Sequence, residues 1–294
     1  MSATATFGAE ARETLLLPTE GGYAIGATLH QPAVESKSEK PKSKILLLPG
    51  WSGPRTGPAE LLVQLASRLA SAGHAVLRID LHGRGDSSGR FEDGDLDRMI
   101  ADASAGFDFL QSKVPNPQSQ IAVGGICSGG NVALGLASLR PNDVGAVCAF
   151  STLPFQPARS KDFDRRRRWK NLKQYAAKAL KPETWKKLVR GEVNMDRVKK
   201  NIGATEQKAA GERNLKDSAR DIEQELLAWK GRALFIWGGG DEEAPPARTH
   251  FEKLHAQGCA KAARFETIAG ANHNFYGRAW REELAAKVET FLCE

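Results

Sequence analysis

The stretch Ile121-Ala-Val-Gly-Gly-Ile-Cys-Ser-Gly-Gly-Asn-Val-Ala-Leu134 constrains the fold of this chain more than any other. An apolar, β-branched run ends near Gly124 and a helix-like run begins near Ser128, so the chain must reverse sharply between them. Glycines remove the steric obstacles to such a bend. A side chain at the apex of a strand-to-helix turn stands beyond the carboxyl end of a parallel sheet, and the next amide points into the same space, which is an arrangement for a nucleophile. The bend needs small residues two before and two after the apex. Gly125 and Gly129 supply them when Cys127 is central, whereas centring on Ser128 puts Ile126 at the crowded position. Cys127 is the expected nucleophile and Ser128 the alternative; the competing reading is a buried thiol beside a tight turn. The positive end of the following helix favours a thiolate, and a neighbouring imidazole would favour it further.

Taken in order, residues 12–17 and 23–30 read as a hairpin, and residues 44–48 as a short buried strand ending at Pro49-Gly50-Trp51-Ser52-Gly53. Leucines at helical spacing predict a helix over 58–71 that ends at Gly73, followed by a buried strand over 75–79. Asp80-Leu-His-Gly-Arg-Gly-Asp-Ser-Ser-Gly89 is a glycine-rich loop too polar for a core, and a helix is expected over 95–111. After the strand, turn and helix at 121–134, another strand is expected over 144–150. Strand alternating with helix predicts a parallel sheet covered on both faces by right-handed crossovers. The alternation stops over 151–231, a Lys- and Arg-rich, mostly helical stretch, and returns with a strand at 234–237, a helix at 247–257, a strand at 262–268 and a final helix at 278–292. The chain therefore divides into a core formed by 1–150 and 232–294 and a helical basic insertion, a cap, over 151–231.

A nucleophile needs an imidazole base and a carboxylate to orient it, both on loops at the same edge of the sheet. Two of the six histidines fall in such loops: His82 in the glycine-rich loop, and His273 in Gly270-Ala-Asn-His-Asn after the last strand. Asp241 lies in the loop after the preceding strand, with Glu242 and Glu243 beside it. The expected order is nucleophile Cys127, acid Asp241, base His273. Taken alone, His273 could be a loop histidine bonded to backbone, and Asp241 a turn aspartate. His30, His74, His250 and His255 read as strand-end, turn or helix-surface residues. For a developing oxyanion, the backbone amides of Ser128 and Trp51 are the expected donors.

The net charge of +7 is local in origin. Residues 159–232 carry 22 Lys and Arg against 11 Asp and Glu, a local +11 that leaves the rest of the chain at −4. Residues 165–170, Arg-Arg-Arg-Arg-Trp-Lys, could attract an anionic acyl carrier or an anionic membrane face, or simply face water. No recognition fold for nucleic acid is present, so that partner is not expected. The four cysteines, Cys127, Cys148, Cys259 and Cys293, have neither paired nor metal-ligand spacing, so free thiols and no metal or cofactor are expected. No apolar run is long enough to span a bilayer, and the first residues lack the pattern of a signal peptide, so a cytoplasmic protein is expected.

With these residues in place, the chain resembles the α/β-hydrolases, and the resemblance covers nearly all of it outside the cap. The motifs are LLLPGWSG, DLHGRGDSSG, GGICSGG, FIWGGGD and AGANHNF, in the family's order. The resemblance implies an α/β-hydrolase fold, a mostly parallel central sheet with helices on both faces and an inserted helical cap, and a Cys127-His273-Asp241 triad. Cysteine stands where most members have serine, a variant similar to that of dienelactone hydrolases and polyhydroxyalkanoate synthases. It implies an acyl-cysteine intermediate and a small-molecule ester or thioester as substrate. Residues 175–194 also resemble the hydrolases encoded beside exosortase systems, which would imply a role near surface-polysaccharide or protein-sorting pathways. Two other functions fit the same residues: an acyltransferase on the same triad, and a catalytically silent scaffold that binds an anionic partner through the basic cap.

Overall fold

The computed structural model describes residues 3–7, 10–32, 41–114, 121–155 and 215–294. The greater part of the basic insertion, including residues 165–170 and 175–194, lies outside the described residues.

Nine strands form one sheet: β1 (Ala3–Phe7), β2 (Glu10–Pro18), β3 (Ala24–Pro32), β4 (Lys44–Leu48), β5 (Ala75–Ile79), β6 (Ile121–Ile126), β7 (Val144–Phe150), β8 (Arg232–Gly238) and β9 (Ala262–Ile268). Their order is β1-β2-β3-β5-β4-β6-β7-β8-β9. The three N-terminal strands pair antiparallel, and β3 joins β5 antiparallel; from β5 to β9 every pair is parallel. Six helices are described: α1 (Leu61–Ser71), α2 (Leu96–Lys113), α3 (Ser128–Leu139), the short α4 (Ile222–Glu225), α5 (Ala244–Ala256) and α6 (Arg278–Cys293). The apolar start expected at Pro58 is a single 3-10 turn before α1. Asp95 caps α2, its carboxylate accepting from the Arg98 amide at 2.9 Å.

The parallel strands β4 to β8 are buried on both faces, and their side chains alternate between two cores, whereas β9 at the edge is largely half-buried or exposed. Leu46 and Leu48 of β4, Val123 of β6 and Phe235 and Trp237 of β8 pack with α2, α3 and α5. Ile45 and Leu47, Ala122 and Ile126, and Leu234 and Ile236 pack on the other face with α1 and α6. Residues 215–231 belong to the same compact unit as the sheet. Ile222, Leu226 and Trp229 are buried in the first core, and the Trp229 indole donates to the Val144 carbonyl at 2.7 Å. Among the described residues no helix is long and apolar enough to cross a membrane.

The chain leaves β4 through α1 toward β5 on one side, and returns through α2 to β6 on the other. The loops after β4 and β6 therefore open side by side where the winding reverses, the place where open α/β sheets form a crevice. The loops after β8 and β9 lie further along the same edge.

Candidate active site

Cys127 is the only residue between β6 and α3, and its backbone has φ 55° and ψ −121°. A non-glycine residue in that region is strained by on the order of 1–3 kcal/mol, so its surroundings must hold it. They do: the Cys127 amide donates to the Phe150 carbonyl at 2.7 Å, and its carbonyl accepts from the Gly130 amide at 3.1 Å. The flanking glycines are sterically required. A Cβ at Gly125 would stand 2.2 Å from the Gly129 carbonyl oxygen, and one at Gly129 would stand 2.4 Å from that of Pro49. The bend therefore centres on Cys127, with Ser128 as the first residue of α3.

The loops after β8 and β9 interlock. The Gly240 amide donates to the Ala271 carbonyl at 2.8 Å and the Gly239 amide to that of Ile268 at 2.8 Å, which brings Asp241 against His273. His273 Nδ1 lies 2.6 Å from Asp241 Oδ2. Asp241 is buried, and its second oxygen accepts from the Glu243 amide at 3.1 Å. The loop carrying His273 is tied by Asn272, whose side-chain oxygen accepts from the amides of Asn274 and Tyr276, both at 3.2 Å, and by the buried Phe275 ring.

Nδ1 being engaged by Asp241, the other ring nitrogen of His273 is left for the Cys127 sulfur, and the two groups shift one another's protonation. Burial works to raise the Cys127 thiol, but the bond and the charge of His273, with a side-chain and a backbone bond from Ser128, hold it below its ordinary range. For His273, burial works to lower the imidazole, and the bonds to Asp241 and Cys127 raise it above its ordinary range. Both directions favour a thiolate beside an imidazolium. Among the other thiols, burial without such a partner pushes Cys148 up to about 12 and Cys259 up to about 11. The Ser128 hydroxyl lies 3.9 Å from the Cys127 sulfur.

The loop after β4 completes the site. A Cβ added at Gly50 would lie 3.7 Å from that of Cys127, so Trp51 follows at the rim of the elbow. The Gly53 amide donates to the Gly50 carbonyl at 3.1 Å. In a planar trans peptide this turns the Trp51 N–H the opposite way, and among the described residues it bonds to no backbone carbonyl. The glycine-rich loop after β5 is more buried than its polarity suggested: Asp80, His82 and Arg84 are all buried. Asp80 pairs with the Arg55 guanidinium and accepts from the Arg55 amide at 2.5 Å, while Arg84 donates to the carbonyls of Trp51 and His82. This loop therefore anchors the loop after β4. Sequence reading missed these arginines because an arginine beside glycines looks solvated; the closely spaced Gly83 and Gly85, both at positive φ, were the available sign of a tightly folded loop.

His82 stays apart from the elbow chemistry. Its amide donates to Asp102 at 2.7 Å, and its ring packs edge-on to Tyr23 at 4.7 Å between centroids. His30 is an interior, wholly buried strand residue rather than a strand end. Asp241, Glu243 and His273 present ligand atoms within 4.8 Å of one another, close enough for an ion. The His273 nitrogen nearest Asp241 is, however, already in a direct hydrogen bond with it.

A family described as serine aminopeptidase, S33 (Hydrolase_4) matches residues 39–277, a span that includes β4 through His273 and thus every candidate site residue. The chain belongs to this family. It is an α/β-fold hydrolase, with cysteine at the elbow where the family's description names serine. No curated protein matches the sequence. Among solved structures it is similar to the Est1E protein of Butyrivibrio proteoclasticus with ferulic acid bound, at 18% identity and a TM-score of 0.63 over 95% of this chain and 98% of that one. It is also similar to a dienelactone hydrolase of Anabaena variabilis, at 15% identity and a TM-score of 0.61 over 97% and 98%. A third similar structure is the Pyrococcus furiosus esterase Pf2001, at 17% identity and a TM-score of 0.62 over 96% and 90%. At these identities the likeness is one of fold.

Proposed function

We propose that this hydrolase cleaves a small-molecule ester or thioester through an acyl-Cys127 intermediate, with His273 as acid and base and Asp241 orienting it. The observation that carries the reading is the 2.6 Å contact between His273 and Asp241 on the loops beside the strained elbow at Cys127, where His273 pulls the thiol down and the thiol helps to raise His273. The thiolate attacks the substrate carbonyl, a C–S bond forms, and the oxyanion is held by the amides of Trp51 and Ser128. Collapse breaks the bond to the leaving group, which takes a proton from His273. Water then attacks the thioester, gives a proton to His273, and releases the acid and the thiolate. The solved neighbours described as esterases, and one as a lactone hydrolase, support an ester as the substrate class.

Of the insertion expected over 151–231, residues 151–155 and 215–231 belong to the sheet's unit; the rest is the cap in this reading, and its charge suits an anionic acyl carrier or an anionic membrane face. A cytoplasmic location and a link to exosortase systems rest on the sequence alone. Transfer of the acyl group to a second acceptor uses the same intermediate and differs only in what attacks it. The test is hydrolysis of short-chain aryl esters and thioesters by single variants. Cys127→Ala should abolish turnover, while Ser128→Ala should keep it within about tenfold, since only the hydroxyl's contact with the sulfur is lost and the backbone one remains. Loss in the serine variant with retention in the cysteine variant would reverse the assignment.

A further inference from the structure

The loop after β4 has a weak point. Gly50 precedes Trp51, and a glycine leaves the peptide between them free to rotate, so the N–H proposed to meet the oxyanion needs to be held from outside. The turn bond to the Gly50 carbonyl holds one side of that peptide. On the other side stands Arg84, from the loop after β5. Its Nε donates to the Trp51 carbonyl and its Nη1 to the His82 carbonyl. The same guanidinium lies over two rings, its carbon 5.1 Å from the Trp51 ring centroid and 4.3 Å from that of Phe91. One buried side chain thus holds both the carbonyl and the ring of Trp51. The carbonyl, the ring and the N–H all hang from one Cα, and fixing the first two leaves the third little freedom.

We propose that Arg84 is a positioning residue for the oxyanion hole, clamping Trp51 by its carbonyl and its indole so that the Trp51 amide faces the acyl oxygen. The role rests on the reading of Cys127 as nucleophile and Trp51 as donor. Arg84 itself touches neither the substrate carbonyl nor the thiol. A lysine cannot replace it, because an ammonium has no flat face to lie over two rings and no fork to reach two carbonyls. Preorganised oxyanion donors act on the rate of acylation more than on binding.

Two reactions of the same sulfur separate this role from a general structural one. Alkylation by iodoacetamide forms an S–C bond as iodide leaves and develops no oxyanion; acylation by an aryl ester develops one. In Arg84→Lys, kcat for the ester should fall by roughly 10–100-fold, with KM and the alkylation rate at Cys127 within about threefold of the parent. An unchanged kcat, or acylation and alkylation falling together in a folded variant, overturns the proposal. If Arg84→Lys does not fold, Phe91→Leu carries the test, since that ring is 38% exposed and forms only one wall of the clamp. It should lower acylation several-fold and leave alkylation alone; equal acylation there overturns the proposal as well. A failure of the underlying reading looks different: the parent enzyme itself would give no acyl adduct on Cys127.

Discussion

His273 and His30 each turn Nδ1 toward a carboxylate oxygen, at 2.6 Å from Asp241 and at 2.8 Å from Glu10. The bonds are nearly alike, and the two imidazoles move in opposite directions. His30 is fully buried in β3, and its Nε2 accepts from Arg78 at 3.0 Å. Burial, with the nearby Arg78 and Arg12 charges, outweighs the pull of Glu10 and brings His30 down to about 4. Glu10 is shared with Arg12 and Ser67. His273 is partly exposed, and Asp241 together with the Cys127 thiol outweighs the effect of burial, so it is raised instead. A histidine beside an acid is therefore not itself a catalytic signature. Burial and a neighbouring cation keep the histidine of one pair neutral beside an ionised Glu10, while a thiol in place of the cation leaves the other raised, as the proposed base would need.

The largest separation between the pairs should come from neutralising each acid. Asp241→Asn should lower kcat by about 10²–10⁴-fold and move the midpoint of Cys127 alkylation toward higher pH, while Glu10→Gln leaves kcat within about threefold. If both variants lost activity equally, the contrast would be wrong.

A smaller effect concerns stability. Above pH 6.5 His30 is neutral whether the chain is folded or not, and its contribution is complete. As pH falls from 6.5 toward 4 the unfolded chain takes up a proton that the folded one refuses, so stability is lost across that window. Urea denaturation at pH 7.5, 5.5 and 4.5 should show a loss on the order of 1–3 kcal/mol in the parent, and a shallower slope in His30→Gln. Equal slopes would remove His30 from the acid response.

Much of this was legible in the sequence, for reasons that differ by region. The elbow could be read because its glycines are forced: Gly125 and Gly129 each abut backbone, and the spacing that excluded Ser128 is the spacing at which a Cβ would collide. The buried strands β4 to β8 could be read because they are short, mostly apolar runs bounded by turn residues. Asp241 and His273 could be ordered along the sheet edge, since consecutive parallel strands set their loops side by side. The position of β5 between β3 and β4 could not be read, because apolar runs carry no record of which neighbour they pair with. The short edge strand β1 was missed for a similar reason, since Ala-Thr-Ala-Thr-Phe lacks a strong apolar pattern. The Glu10-His30-Arg78 strut was missed because its members are 20 and 48 residues apart, and polar residues in a strand read as a solvent face until a helix is seen to cover them.

Cys127, drawn toward thiolate by His273, is the group proposed to take the acyl chain. The most direct test is intact-mass and peptide mapping of the protein after rapid quenching with an aryl ester, before and after neutral hydroxylamine. One acyl adduct is expected on the peptide bearing Cys127, removed by hydroxylamine as a thioester is and absent in Cys127→Ala. An adduct on Ser128 that survives hydroxylamine, or ester turnover undiminished in Cys127→Ala, would contradict it.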